Sequence, residues 1–161
     1  MSLGKRLETL LELPIVYEFI QRVLPISSNF VNNIIRERAN LDSERLLLDI
    51  GCGSGNRAHL FNCEYFGVDI NPKYIRYARN KRSIVASVMD CNHLALAENT
   101  FDFAVMVAIH HHMPNEHVTQ SIHEALRVLK HGATLLIVDA VLPTDHHKLR
   151  NFVFANDRGR H

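Results

Sequence analysis

The chain has 161 residues, of which 47% are hydrophobic and 22% are charged, as in an ordinary soluble domain with one core. The formal net charge is only +1, so no global field favours a nucleic acid or an anionic membrane as partner. Three cysteines, no signal-peptide pattern and no stretch of ~20 apolar residues predict free thiols in a reducing cytoplasm.

The first forty residues predict three helices, with Pro14 opening the second and Ser27 or Ser28 capping the third. Short apolar runs then predict five buried strands at 46–50, 65–70, 84–88, 103–109 and 134–141. Between them we expect a short helix after Gly55, a helix from Pro72 to about residue 82 and a helix over 115–131 that Gly132 ends. This alternation predicts a parallel sheet with right-handed crossovers.

A glycine-rich segment, DIGCGSG (49–55), directly follows the first predicted strand. Its glycines allow a tight turn and the close approach of a ligand to bare backbone. A dinucleotide fingerprint, G-x-G-x-x-G, needs a third glycine at position 56, where this chain has Asn56. The carboxylate of Asp49 suits a positively charged ligand and repels a pyrophosphate. A tight turn without a ligand is the alternative.

Two further acids follow the second and third predicted strands. Asp69 is placed to accept hydrogen bonds from ribose hydroxyls, although capping the next helix is an alternative role. Asp90 is placed to bind the exocyclic amine of an adenine, and an ordinary loop acid is the alternative. Both positions predict a nucleoside beside the glycine-rich loop.

Five segments in order carry a resemblance: LLLDIGCGSG (46–55), YFGVDINP (65–72), VMDCNHLAL (88–96), FDFAVMVAIHHHMPN (101–115) and HEALRVLKHGATLLIVDA (123–140). Together they span roughly residues 44–141. The chain resembles the class I S-adenosylmethionine-dependent methyltransferases, and residues 101–140 resemble the small-molecule members of the ubiquinone-biosynthesis type.

The resemblance implies a Rossmann-like, doubly wound α/β fold with a mainly parallel sheet. It implies an N-terminal helical cap over 1–43 and a donor-binding domain over 44–161. Asp49, Gly51 and Gly53 would face the methionyl part of the donor, Asp69 would hold the ribose and Ile70 would pack on the adenine. Asp90 and Cys91 would line the rim of the adenine site, and Val107 and Ala108 would flank the cofactor at the fourth strand. The implied cofactor-binding residues are Asp49, Gly51, Cys52, Gly53, Gly55, Asp69, Ile70, Asp90, Cys91, Val107 and Ala108.

The chain departs from the family pattern near its end. Class I folds usually carry an antiparallel hairpin beyond the fifth strand, and the twenty residues after Val141 predict one helix over 146–155 instead. Without the hairpin, residues 135–138 would form an open apolar edge. We therefore expect a fragment, a homodimer or a partner chain that covers this edge.

Three consecutive histidines, 110–112, end the fourth predicted strand. On a strand His110 and His112 would point one way and His111 the other. His111 and His112 are the candidate catalytic residues, as a base for the acceptor, and the alternative is that they only shape the pocket. No carboxylate or thiol lies at regular ligand spacing from the histidines, so we expect no metal site.

The leading hypothesis is an enzyme that transfers a methyl group from S-adenosyl-L-methionine to a small-molecule acceptor, without nucleic-acid or membrane partners. A non-catalytic or partner-dependent donor-binding subunit is the second hypothesis. An NAD-dependent oxidoreductase is the third, and Asn56 and Asp49 disfavour it. Lys73, Arg76 and Arg79 recur every third residue, which predicts a solvated helix face, with RNA binding as the alternative.

Overall fold

The computed structural model describes residues 28–39 and 41–139, together with Pro14. Several expectations therefore lie outside the described residues. They concern the first two helices, the end of the fifth strand at 141, the helix over 146–155 and most of the 1–43 cap.

Five strands are described: β1 (Leu46–Ile50), β2 (Glu64–Asp69), β3 (Val85–Val88), β4 (Phe101–Val107) and β5 (Leu129–Val138). They form one sheet, parallel throughout, in the order β3-β2-β1-β4-β5. From β1 the chain moves outward through β2 to β3, and it then returns to the other side of β1 as β4. The carboxyl ends of β1 and β4 therefore flank the point where the strand order reverses, which is where open α/β sheets bind ligands. The predicted Rossmann-like, doubly wound fold is confirmed.

Among the described residues, three α-helices accompany the sheet: α1 (Ser28–Arg38), α2 (Pro72–Arg82) and α3 (Asn115–Val128). α2 begins as predicted, because the side chain of Asn71 accepts a hydrogen bond from the Lys73 amide and Pro72 takes the first helical position. The short helix expected after Gly55 is a single 3₁₀ turn at Ala58–Leu60. Within the described ranges, no helix has the length and apolar character that a bilayer crossing needs.

Both faces of the sheet are covered, as the uninterrupted apolar pattern of β1 predicts. Leu48 and Ile50 of β1 belong to a buried cluster with Ala125 of α3. Leu47, whose side chain points the opposite way, packs in a second cluster with Ile35 of α1. The sheet is therefore the middle layer of three, and the loops at its carboxyl edge are left to form a site.

The boundary between α3 and β5 differs from the prediction. α3 ends at Val128 instead of 131, and Leu129 already pairs with Phe101 of β4. Gly132, expected to end the helix, lies inside β5 with φ +78°, at a register shift where Phe103 pairs with Thr134. Buried Leu129 fixes the early start of the strand, and the glycine supplies the irregular backbone of the bulge.

β5 is an edge strand in the part of the chain that the structure describes. It pairs with β4 on one side, and Ile137 is 39% exposed. The expected antiparallel hairpin has no counterpart among residues 28–39 and 41–139. The expectation of a fragment, homodimer or covering partner stays a prediction.

The loop after β1 packs directly against the residue pair that follows β4. Gly51 adopts φ +76°, and a Cβ built on it would overlap Cγ2 of Ile109. Gly53, in the same loop with φ +56°, has open space where a Cβ would stand. A bare backbone at Gly51 therefore lets the ends of β1 and β4 come together.

We predict that Gly51→Ala lowers the free energy of unfolding by roughly 2–5 kcal/mol, from left-handed strain together with overpacking against Ile109. The matched control Gly53→Ala has the strain alone and should lose roughly 1–2 kcal/mol. Urea unfolding of both variants measures the difference. Equal losses in the two variants would show that the contact with Ile109 is unimportant.

Candidate functional site

The glycine-rich loop folds back over the end of β2. The amides of Gly51 and Cys52 both donate to the carbonyl oxygen of Val68, at 2.8 and 3.0 Å. The curled backbone borders a crevice at the carboxyl ends of β1, β2 and β4. The crevice is lined by Gly51, Cys52, Gly53, Ser54, Asn56, Arg57, Asp69, Ile70, Asn71, Tyr74, Val107, Ala108 and Ile109.

The crevice brings together most of the residues that the sequence proposed for cofactor binding, namely Gly51, Cys52, Gly53, Asp69, Ile70, Val107 and Ala108. Four of the proposed residues are not among the described residues that line it: Asp49, Gly55, Asp90 and Cys91. Sequence reasoning did not propose six that do: Ser54, Asn56, Arg57, Asn71, Tyr74 and Ile109.

Asp69, the last residue of β2, ties two sides of the crevice together. Its Oδ2 accepts from the Gly53 amide at 2.9 Å, and its Oδ1 accepts from the Asn71 amide at 2.8 Å. Asn71, not Asp69, caps α2. The Asp69 carboxylate also borders the crevice, and a carboxylate is an acceptor of the kind that the hydroxyls of a sugar require.

An apolar surface lies next to Asp69. Ile70 is 68% exposed although it is a large aliphatic residue, and Tyr74, on the first turn of α2, borders the same space. An exposed isoleucine at the mouth of a crevice offers contact area to a flat ring. The order carboxylate, then apolar surface, suits a nucleoside whose ribose meets Asp69 and whose base meets Ile70.

Asp49 lies beneath the loop. Its side chain is buried, and its Oδ2 accepts a hydrogen bond from the Tyr65 hydroxyl at 2.6 Å. Burial raises the pKa of Asp49 to about 6, against the lowering effects of the Tyr65 hydrogen bond and of the positive charge of Arg57. The same burial and the negative charge of Asp49 raise the pKa of Tyr65, which keeps its proton and donates it.

Cys52 contributes through its backbone and its packing. Its thiol is buried, and burial raises its pKa, so the sulfur stays neutral. A Cβ at Gly67 of β2 would approach the Cys52 sulfur to 2.8 Å, so the small residue on β2 makes room for this side chain. Ile75 of α2 joins the same small cluster. The thiol therefore holds the loop against β2 and α2.

Arg57 is a crevice residue that sequence reasoning missed. Its Nε is buried and has no hydrogen-bond partner in the structure as described, while the residue itself lines the crevice. A buried donor without an acceptor is unfavourable, so an anionic group is the natural complement of this side chain. The signal in the sequence was its position, because a basic residue only two positions after Gly55 remains close to the glycine-rich loop.

Asp90 and Cys91 follow β3 at the neighbouring position of the same edge. The Asn92 amide donates to Asp90 Oδ1 at 2.9 Å, and this hydrogen bond lowers the pKa of Asp90. Burial raises the pKa of Cys91 to about 11, so its thiol is neutral. Both residues lie outside the crevice lining, and an adenine contact by either stays a prediction.

The three histidines do not end a strand. β4 stops at Val107, Ala108 takes φ +56°, and His110–His112 form a 3₁₀ turn. The predicted alternation of side chains along a strand is therefore wrong. The turn is held by Asp139, a long-range contact that periodicity does not reveal. The side chain of His112 lies outside what the structure describes.

Asp139, directly after β5, is a second residue that sequence reasoning missed. Its Oδ2 accepts from the His110 amide at 2.6 Å, and its Oδ1 lies 2.6 Å from Nδ1 of His111. The signal was its position, because Asp69 and Asp90 also stand at or just after strand ends. In the described part of the chain, no group of three or more histidine, cysteine, aspartate or glutamate side chains is placed to hold a metal ion.

Comparison with known proteins identifies the family. A model described as a methyltransferase domain matches residues 48–137, more than half of the chain. The chain belongs to the class I S-adenosylmethionine-dependent methyltransferases. A solved structure from Methanosarcina mazei, named as S-adenosylmethionine-dependent, is 31% identical with a TM-score of 0.58, over 60% of this chain and 53% of that one. The cofactor of this domain is accordingly S-adenosyl-L-methionine.

Two curated relatives are named tRNA (carboxymethyluridine(34)-5-O)-methyltransferase. The one from Arabidopsis thaliana is 34% identical over 61% of this chain, and the one from Schizosaccharomyces pombe is 36% identical over 55%. The matches span only 24% and 39% of those relatives. This methyltransferase domain therefore corresponds to a part of each of them.

These relatives overturn one expectation. The exclusion of a nucleic-acid partner is wrong, because it rested on a whole-chain charge of +1. That sum hides a local excess on α2, whose sequence PKYIRYARNKR contains five basic residues and no acidic one. A small net charge does not exclude a basic face.

We predict that Asp69→Ala weakens binding of S-adenosylhomocysteine by roughly 1–3 kcal/mol, since it removes the acceptor for the ribose and leaves two amides unpaired. Asp69→Asn keeps the volume but presents an NH₂ group to one of those amides, so it should lose a smaller part of the affinity. Calorimetric titration measures both. Asp102→Ala, at the opposite edge of the sheet, is the matched control, and an Asp69→Ala affinity equal to that of this control would remove Asp69 from the site.

We also predict that Asp49→Asn changes how stability depends on pH. The pKa of Asp49 is higher in the folded chain, at about 6, than its ordinary 3.8. The folded state therefore gains from the neutral acid below pH 3.8, and this gain, roughly 3 kcal/mol, is lost as the pH rises through 6. Between pH 4 and pH 7 the asparagine variant should gain stability relative to the native chain.

Urea unfolding at pH 4, 5.5 and 7 measures this difference. Asp102→Asn is the control with opposite sign, because the Leu46 amide and Lys130 lower the pKa of Asp102. The ionised Asp102 stabilises the folded state above the ordinary pKa of the group, and this stabilisation is lost as the pH falls through the lowered pKa. Asp102→Asn should therefore reduce the free energy of unfolding most at pH 7. If the difference in free energy of unfolding between the native chain and Asp49→Asn did not change with pH, Asp49 would not be a buried group that titrates in this range.

Proposed function

We propose that this chain carries the catalytic site of a methyltransferase, with S-adenosyl-L-methionine bound in the crevice between the ends of β1, β2 and β4. The observation that supports this most is the arrangement at Asp69. Its carboxylate borders the crevice, holds the Gly53 amide of the loop and stands next to the exposed face of Ile70. The crevice thus offers a carboxylate for the ribose hydroxyls, bare loop backbone beside it and an apolar side chain for the base.

The charges around the crevice suit the amino-acid end of the donor. Asp69 lines the crevice and Asp49 lies beneath its loop, which favours the ammonium and the sulfonium. Arg57, with its buried unpaired Nε, complements the donor carboxylate. We therefore propose that Arg57 contacts that carboxylate, while Asp49 acts through the field beneath the loop.

The chemistry asks mainly for positioning. The acceptor atom must approach the methyl carbon in line with the carbon–sulfur bond, in a site that excludes water. The ends of β4 and β5, with Val107, Ala108 and the turn at His110–His112, lie on the side of the crevice away from the nucleoside platform. We propose that the acceptor enters over this side.

Our first candidate for the acceptor is a small molecule, because residues 101–140 resemble the small-molecule members of the family. A nucleotide of tRNA is the second candidate, which the two curated relatives favour. The exposed basic residues Lys73, Arg76 and Lys81 of α2 support it as well, since phosphate backbones are bound by such clusters. A donor-binding subunit without turnover is the remaining alternative.

Two measurements on this chain test the proposal. Calorimetry should show binding of S-adenosylhomocysteine and none of NAD, which is the control for the dinucleotide alternative. Donor labelled with tritium in its methyl group should then transfer label to a metabolite extract. Label in a tRNA pool instead would replace the first acceptor with the second, and binding without transfer to either pool would support the donor-binding subunit. A native chain that does not bind S-adenosylhomocysteine would overturn the proposal altogether.

A further inference from the structure

The carboxylate of Asp139 makes two short contacts to consecutive histidines. It accepts from the backbone amide of His110 and from the ring of His111, both at 2.6 Å. Because an ionised carboxylate can only accept, Nδ1 of His111 must carry the proton in this contact. The basic nitrogen of His111 is then Nε2.

The neighbouring His110 is held in the other tautomer. The Ser121 hydroxyl donates to the Val118 carbonyl at 2.8 Å, so at 3.3 Å from His110 Nε2 it acts as an acceptor, and His110 donates from Nε2. Burial lowers the pKa of His110, which keeps its ring neutral. Asp139 and His111 are among the charged or titratable groups that face His110. His110 is thereby tied to Ser121 of α3 as well as to Asp139.

The turn that carries His111 is fixed at the edge of the crevice. The Ala108 amide donates to the Val138 carbonyl at 2.8 Å, Ala108 takes φ +56°, and Ile109 packs on Gly51 of the loop. Strain in a non-glycine residue persists only where the surroundings over-determine it. His111 follows Ile109 by two residues, and its side chain is 19% exposed. His111 itself is not among the described residues that line the crevice, but Ala108 and Ile109, which precede it in the chain, do line it. The contact with Asp139 therefore fixes the imidazole next to the side of the crevice over which the acceptor is proposed to enter.

We propose that Asp139 is a positioning residue, which holds His111 with Nδ1 protonated so that Nε2 takes the proton of the methyl acceptor. This inference rests on the proposed function and specifies its acceptor. A hydroxyl or amine acceptor loses a proton on methylation and needs such a base, whereas an ionised carboxylate has no proton to give. The inference therefore assigns an acceptor that loses a proton on methylation, such as a hydroxyl or an amine, and not an ionised carboxylate.

Methyl transfer to a hydroxyl acceptor forms one bond to the methyl carbon and breaks another. An electron pair of the acceptor oxygen forms the new carbon–oxygen bond, and the carbon–sulfur bond breaks with its pair going to sulfur. The positively charged sulfonium becomes the neutral thioether of S-adenosylhomocysteine. The acceptor proton moves to Nε2 of His111, the resulting imidazolium is stabilised by the Asp139 carboxylate, and the proton later passes to water.

The tautomer can be read without any acceptor. Long-range ¹H–¹⁵N correlation spectra of the labelled chain at pH 8 should show His111 protonated at Nδ1 and His110 protonated at Nε2. In Asp139→Asn the His111 tautomer should change toward Nε2–H, and Asp139→Glu should retain the native pattern. Ser121→Ala removes the partner of His110 only, so His111 should keep its tautomer there. A native His111 protonated at Nε2 would overturn the inference.

Kinetics test the role in transfer. With the acceptor pool that takes up label, Asp139→Asn and His111→Gln should each lower kcat by roughly 10- to 100-fold, since a positioned base contributes on this scale. KM for the donor and the affinity for S-adenosylhomocysteine should stay within about twofold, and Asp139→Glu should recover part of the rate. Asp102→Asn, far from the crevice, is the matched control with unchanged kcat.

The outcomes separate the inference from the function on which it rests. A native chain that transfers methyl groups while Asp139→Asn keeps its kcat would refute the positioning role and leave the proposed function standing. A donor affinity that falls with kcat would assign Asp139 to the fold of the crevice instead, and would also refute it. Label found on a carboxylate of the acceptor would refute the assigned acceptor class. Failure of the native chain to bind S-adenosylhomocysteine would refute the function itself.

Discussion

The crevice depends on one carboxylate that faces two backbone amides. Asp69 stands at the end of β2, and it bonds the Gly53 amide on one side and the Asn71 amide on the other. These contacts hold the loop after β1 and the start of α2 at a fixed separation, and that separation opens the crevice proposed for the donor nucleoside. A carboxylate that accepts backbone hydrogen bonds is well oriented before any ligand arrives, so little ordering remains for the binding step. The residue expected to recognise the ribose is thus also the residue that shapes the space for it.

Features encoded by short-range pattern were predictable from the sequence. Apolar runs gave the strands, the Asn71–Pro72 pair gave the start of α2, and the acids at the strand ends gave the edge where the site lies. The histidine turn was not predictable, because nothing in three consecutive histidines distinguishes the end of a strand from a 3₁₀ turn. Asp139 decides between them, and it lies 29 residues from His110 in sequence. The early start of β5 likewise follows from pairing between Leu129 and Phe101, which the local pattern of helix α3 does not contain.

Asp49 illustrates a related limit. Its place before the glycine-rich loop suggested direct contact with a ligand, and its charge was the basis of that expectation. In the fold its partner is Tyr65, which is 16 residues away and lies on the neighbouring strand. Asp49 is buried beneath the loop, whereas Arg57, two residues beyond Gly55, lines the crevice. The proposed function therefore assigns the carboxylate of the donor to Arg57, a residue that the motif alone did not indicate.

The two halves of the sheet's carboxyl edge differ in the chemical groups from which the proposed site is built. At β1 and β2 the donor side is built mainly from backbone groups and one carboxylate, which suits a ligand that every member of the family shares. At β4 and β5 the proposed acceptor side depends on two side chains, His111 and Asp139, and on which nitrogen of His111 carries a proton. Side chains can be exchanged without disturbing the loop, whereas Gly51 cannot be enlarged without moving Ile109. The constraint at Gly51 therefore preserves the donor site, while the acceptor side remains free to vary. For that reason the proton chemistry at the ends of β4 and β5 is the better guide to what this domain methylates than the family to which it belongs.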